Sequence, residues 1–110
     1  MRKKCYRYME EDIKILSEEE IQEKLKEFPG WKYENNKISK EFVFRTFLDG
    51  LDLVNKLAPF CEKIDHHPDI HIFYKKILFE LQRYSVGGKV TDRDFLVADK
   101  IEKLYKEKYA

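Results

Sequence analysis

A chain of 110 residues that is 43% hydrophobic and 15% aromatic is long enough for one packed core, too short for two domains, and too apolar to be a disordered segment. Charged residues make up 39% of it, yet the formal net charge is only +1. The surface therefore carries both signs densely, as thermophile proteins often do, and lacks the cationic excess of a dedicated nucleic-acid binder.

Cys5 and Cys61 form no CxxC pair and read as reduced thiols of a cytoplasmic protein. No apolar run reaches the length of a membrane span, and Met1-Arg2-Lys3-Lys4 is not followed by the apolar stretch of a signal peptide. Residues 1–110 are read as a single domain in which residues 1–14 are an N-terminal extension.

Ser17-Glu18-Glu19-Glu20 has the form of a capping box, in which Ser17 accepts from the Glu20 amide while Glu20 reaches back. Ile21, Leu25 and Phe28 then follow at helical spacing until Pro29-Gly30 ends the helix. Trp31 and Tyr33, then Ile38, Lys40, Phe42 and Phe44, alternate in steps of two around Asn35-Asn36. That pair tolerates positive φ, so a tight hairpin is expected there.

Across residues 46–65, Phe47, Leu51, Val54, Leu57 or Ala58, Cys61 and Ile64 recur at three and four residues, which is a helical period. Pro59 falls inside this helix, where it removes one backbone hydrogen bond and favours a kink. After Pro68, residues 70–74 and 77–84, rich in β-branched and aromatic side chains, form a second hairpin joined near Lys75-Lys76. Gly87-Gly88 marks a loop, and Thr91-Asp92-Arg93-Asp94 opens a last helix through Phe95, Ala98, Ile101 and Leu104 or Tyr105. The fold class is α+β, in the order α-β-β-α-β-β-α. Its four-stranded antiparallel sheet is covered on one face by helices, with an exposed edge that invites strand-to-strand self-association.

His66-His67-Pro68 stands at the junction between the long helix and the third strand. Three readings compete for these imidazoles and for His71. A metal site requires three or four converging ligands, which adjacent histidines supply poorly. Acid–base catalysis suits two groups that titrate near neutrality. A structural role is the third reading. Glu62, four residues before His66, is placed to orient that ring. Asp94 reads first as a helix cap, although a carboxylate there can also approach a site above the sheet.

The run Glu62-Lys63-Ile64-Asp65-His66-His67-Pro68-Asp69, with Tyr74 and Gly88-Lys89-Val90-Thr91-Asp92-Arg93-Asp94, resembles the pterin-4a-carbinolamine dehydratases, also known as dimerisation cofactors of a hepatocyte transcription factor. Leu16-Ser17-Glu18-Glu19-Glu20-Ile21, Pro29-Gly30-Trp31 and residues 38–47 extend the likeness over residues 15–107. The resemblance implies a metal-free and cofactor-free dehydratase that converts 4a-hydroxytetrahydrobiopterin to quinonoid dihydrobiopterin. It supports tetrahydrobiopterin recycling for aromatic amino-acid hydroxylases. His66, His67 and Glu62 are then catalytic; Pro68, Asp69, Ile70, Tyr84 and Asp94 are substrate-binding. The implied partners are the pterin and further copies of the chain in a homodimer or homotetramer, with no nucleic acid and no membrane.

Three positions depart from the family pattern. Arg83-Tyr84 stands where the family carries Thr-His, Ile70 replaces an aromatic, and the loop after Gly88 is one residue longer. A phenol with an ordinary pKa of about 10 donates a hydrogen bond at neutral pH but accepts a proton poorly, and losing one acid–base group lowers a rate on the order of 10²- to 10⁴-fold. The alternative functions are a catalytically impaired pterin-binding or dimerisation module of the same fold, and an enzyme of this fold acting on another heterocycle.

Overall fold

The computed structural model describes residues 13–83 and 87–109; most of the N-terminal extension, Cys5 and Tyr84 lie outside the described residues. The Ser17–Glu20 capping box forms as expected and starts α1 (Glu18–Leu25). Strands β1 (Lys32–Glu34) and β2 (Lys37–Val43) follow. Asn35 and Asn36, at φ 54° and 62°, make the tight turn between them, because short polar side chains tolerate the left-handed region better than most.

Helix α2 (Phe47–Ile64) is capped by the Thr46 side chain and runs unbroken through Pro59. Strands β3 (Asp69–Phe73) and β4 (Lys76–Leu81) make the second hairpin, and α3 (Asp92–Lys108) closes the chain behind the Thr91–Asp94 capping box. The fourth strand stops three residues short of the expected Tyr84. Its ladder partner β2 pairs no further than Ile38 with Leu81; beyond that point Arg83 pairs instead with Lys89 across the glycine loop.

All strand pairs are antiparallel, in the order β1-β2-β4-β3. The two-residue alternation sends Ile38, Phe42, Ile77, Phe79 and Leu81 to one face. There they join Ile21 of α1, Leu53, Leu57, Cys61 and Ile64 of α2, and Phe95, Val97, Ala98 and Ile101 of α3 in a single core. Gly50 lets α2 approach β4 closely: a Cβ at this position would lie 2.9 Å from Ile77 Cδ1. The opposite face carries Lys37, Glu41, Lys76 and His71, and among the described residues β3 pairs along one edge only. No helix among the described residues is long and apolar enough to cross a membrane.

Candidate functional site

The end of α2 decides where the two histidines go. Asp65 adopts the left-handed conformation (φ 52°, ψ 50°), and its amide and that of His66 turn back to the carbonyls of Glu62 and Cys61. The six-to-one bond from His66 N to Cys61 O (3.0 Å) is the Schellman ending that helices commonly adopt. This reversal places His66 under the helix, whereas His67 emerges on its outer side beside Glu62.

His66 is buried at 3% exposure. Its Nε2 meets Asp94 Oδ1, and its Nδ1 lies 3.0 Å from Arg83 Nη1. A guanidinium has donors and no acceptor, so Nδ1 must present its lone pair to Arg83, and the ring proton resides on Nε2, donated to Asp94. Asp94 is wholly buried and serves two ends: Oδ1 holds His66, and Oδ2 accepts the Thr91 amide at 2.8 Å as the reciprocal half of the cap of α3. Arg83 Nη1 also donates to the Asp65 carbonyl at 2.6 Å.

Glu62 does not orient His66. Its Oε2 accepts from His67 Nε2 at 2.7 Å, because the left-handed turn carries His66 inward and brings its neighbour back over the helix. Both partners are open to water, at 52% and 76% side-chain exposure, so their mutual attraction is weak and its value lies in orientation. His67 and Glu62 stand at the rim of a groove of about 130 Å³, with Pro68 and Ile70 on one wall and Val54, Leu57, Ala58 and Cys61 of α2 as the apolar remainder. Burial, with a smaller push from Glu62, raises the Cys61 thiol to about 11. It therefore lines the groove as a neutral, free thiol.

The expected site residues thus divide. Glu62, His67, Pro68 and Ile70 share the groove; His66 and Asp94 belong to the buried cluster with Arg83; Tyr84 lies outside the described residues. Asp69 pairs across the sheet with Glu80. His71 faces the uncovered side of the sheet, 2.9 Å from Glu80 Oε1, while Glu80 Oε2 meets Lys37. No cluster of three or more candidate metal ligands occurs among the described residues. Sequence reasoning gave Arg83 no role in the site, though the alternation of Ile77, Phe79 and Leu81 points position 83 inward. The helical period of α2 shows that Val54, Leu57 or Ala58 and Cys61 share a face, and carries no signal that part of this face lines a groove.

Comparison with known proteins places these features in context. The family described as "Pterin 4 alpha carbinolamine dehydratase" matches residues 14–104. A protein of Sulfolobus acidocaldarius named "Putative pterin-4-alpha-carbinolamine dehydratase" is 44% identical over 89 residues, covering 81% of this chain and 97% of its own length. A Picosynechococcus protein of the same name is 42% identical, with 81% and 96% covered. The crystal structure of a transcriptional coactivator/pterin dehydratase from Brucella melitensis superposes with a TM-score of 0.78 at 28% identity, over 82% of this chain and 97% of that one. A pterin dehydratase-like RuBisCO assembly factor of the alpha-carboxysome shares the fold at a TM-score of 0.56 and 18% identity, over 68% of this chain and 88% of its own.

Proposed function

Because this chain belongs to the pterin-4a-carbinolamine dehydratase family, we propose that it dehydrates 4a-hydroxytetrahydrobiopterin to quinonoid dihydrobiopterin by histidine acid–base chemistry. The observation that carries this reading is the His67–Glu62 pair at 2.7 Å on the rim of an apolar groove. A flat heterocycle rests its face on Val54, Leu57 and Ala58 while its polar edge meets the imidazole.

The reaction removes the proton from N5, forms the N5–C4a double bond, and expels the 4a-hydroxyl, which leaves as water after taking up a proton. Neutral His67, donating Nε2–H to Glu62, keeps the Nδ1 lone pair to accept a proton, and the resulting imidazolium returns one to the departing hydroxyl. Glu62 holds the ring in this orientation and stabilises its positive charge. Pro68 and Ile70 supply substrate contacts. Asp94 acts on the site through His66.

The groove is smaller than the roughly 300 Å³ at which enclosed ligand sites begin, so the substrate is only partly covered by it. His66, with both ring nitrogens engaged, supports the turn. That engagement also favours the second reading, a pterin-binding or dimerisation module with impaired chemistry. The open β3 edge and the exposed Phe73 and Tyr74 support self-association as a homodimer or homotetramer. Purified protein is expected to speed carbinolamine loss, followed by the absorbance of the quinonoid product. Decay at the rate of buffer alone overturns the enzymatic reading, and pterin binding without turnover supports the second.

A further inference from the structure

We propose that Arg83 is a positioning residue: it fixes the His66 tautomer and the left-handed turn at Asp65, and through them holds the His67 ring against Glu62. Its effect on turnover rests on the dehydratase reading; the tautomer does not.

Arg83 follows β4, where the inward alternation of Ile77, Phe79 and Leu81 continues and buries the side chain to 8% exposure. One nitrogen, Nη1, reaches two acceptors of the same turn: the Asp65 carbonyl at 2.6 Å and His66 Nδ1 at 3.0 Å. The Asp65 carbonyl is among those a helix leaves without intrahelical partners at its C-terminus, where the dipole also favours a cation. Satisfying it with a buried guanidinium secures the left-handed residue that immediately precedes the two histidines.

The second contact decides protonation. With Nδ1 facing a group that only donates, the His66 proton belongs on Nε2, and Asp94 receives it. Arg83, His66 and Asp94 thus form a strut from β4, through the end of α2, to the cap of α3. His67 is the next residue along the chain, so displacement of His66 moves the imidazole at the groove. Position 83 thereby controls ring placement without itself lining the groove.

Long-range ¹⁵N–¹H spectra of histidine-labelled protein read the tautomer directly. In the unaltered protein, His66 is expected to show a pyridine-like Nδ1 and a pyrrole-like Nε2; a pyrrole-like Nδ1 overturns the proposal. Arg83→Met, which keeps length and removes the donors, is expected to leave Nε2 pyrrole-like, held by Asp94, to move the Nδ1 resonance to that of a pyridine-like nitrogen without a donor, and to lower kcat on the order of 10- to 100-fold with a much smaller change in KM. Arg83→Lys, which restores a donor, is expected to recover part of both. A folded Arg83→Met protein with an unchanged Nδ1 resonance, or an unchanged kcat, overturns the assignment. Should Arg83→Met fail to fold, the unaltered spectrum and Arg83→Lys decide. Absence of turnover in the unaltered protein counts against the dehydratase reading, while its spectrum still decides the tautomer.

Discussion

His66 and His67, joined by one peptide bond, face opposite ways: His66 is buried between Asp94 and Arg83, while His67 is half exposed beside Glu62. The left-handed Asp65 immediately before them sets this divergence. Adjacent residues of the same type therefore stand in different dielectric surroundings, and replacing one is not equivalent to replacing the other.

His67→Ala is expected to lower the dehydration rate on the order of 10²- to 10⁴-fold while leaving the urea midpoint close to that of the unaltered protein, because the ring buries little. His66→Ala is expected to destabilise by about 3 kcal/mol as Asp94 and Arg83 each lose a buried partner, with a smaller loss of rate than His67→Ala that follows from the displaced His67 ring. Paired turnover and urea-denaturation measurements check the contrast. Loss of stability in His67→Ala as large as in His66→Ala would contradict the assigned geometry.

Asp94→Ala removes the Thr91 amide bond of the cap, the longer contact from the Thr91 hydroxyl and the partner of His66. Loss of the cap costs about 1 kcal/mol and the orphaned imidazole donor about 2 kcal/mol more. The expected total of about 3 kcal/mol is measured from urea unfolding. Asp94→Asn keeps the shape and one acceptor, so a smaller loss is expected there.

Gly50→Ala sets two effects against each other. Removing a glycine from a helix interior stabilises by about 0.5–1 kcal/mol, but the new Cβ would sit 2.9 Å from Ile77 Cδ1, and Ile77 is 1% exposed in the centre of the core. Overpacking costs about 1–3 kcal/mol and is expected to win, giving a net destabilisation of about 1 kcal/mol. A raised thermal midpoint would show that Ile77 has room to move.

Glu80 carries a pH dependence of known sign. Its hydrogen bond with His71, helped by Lys37, holds the carboxyl below its ordinary value of 4.5, against a smaller opposing effect of burial. A carboxyl with a lower pKa in the folded than in the unfolded state contributes stability that is full above the unfolded value and is lost as pH falls through the folded one. Stability should therefore decline below about pH 4.5, and Glu80→Gln should flatten that limb. Urea midpoints collected across the acid range test this, and an unchanged slope in the variant would sink it.

Much of the fold was legible in the chain because each element carries a local physical signature. Ser17–Glu20 and Thr91–Asp94 announce two helix starts by reciprocal hydrogen bonding within four residues. Asn35-Asn36 announces a turn by its tolerance of positive φ, and the three- and four-residue spacing from Phe47 to Ile64 announces a helix that core packing then carries through Pro59. The order α-β-β-α-β-β-α followed from these, since every signal is confined to one or two turns of chain.

Tertiary structure alone decided the strand order β1-β2-β4-β3 and the site. Which ring goes inward at His66-His67 depends on one left-handed residue and on Arg83, 17 residues away from His66; Asp94 is 28 residues away. Spacing along α2 paired Glu62 with His66, because helical periodicity assumes that the helix continues, whereas the chain reverses at Asp65 and brings His67 to Glu62 instead. A sequence records which groups can donate and accept, but only the packing of β4 and α3 against the end of α2 selects the partners that meet.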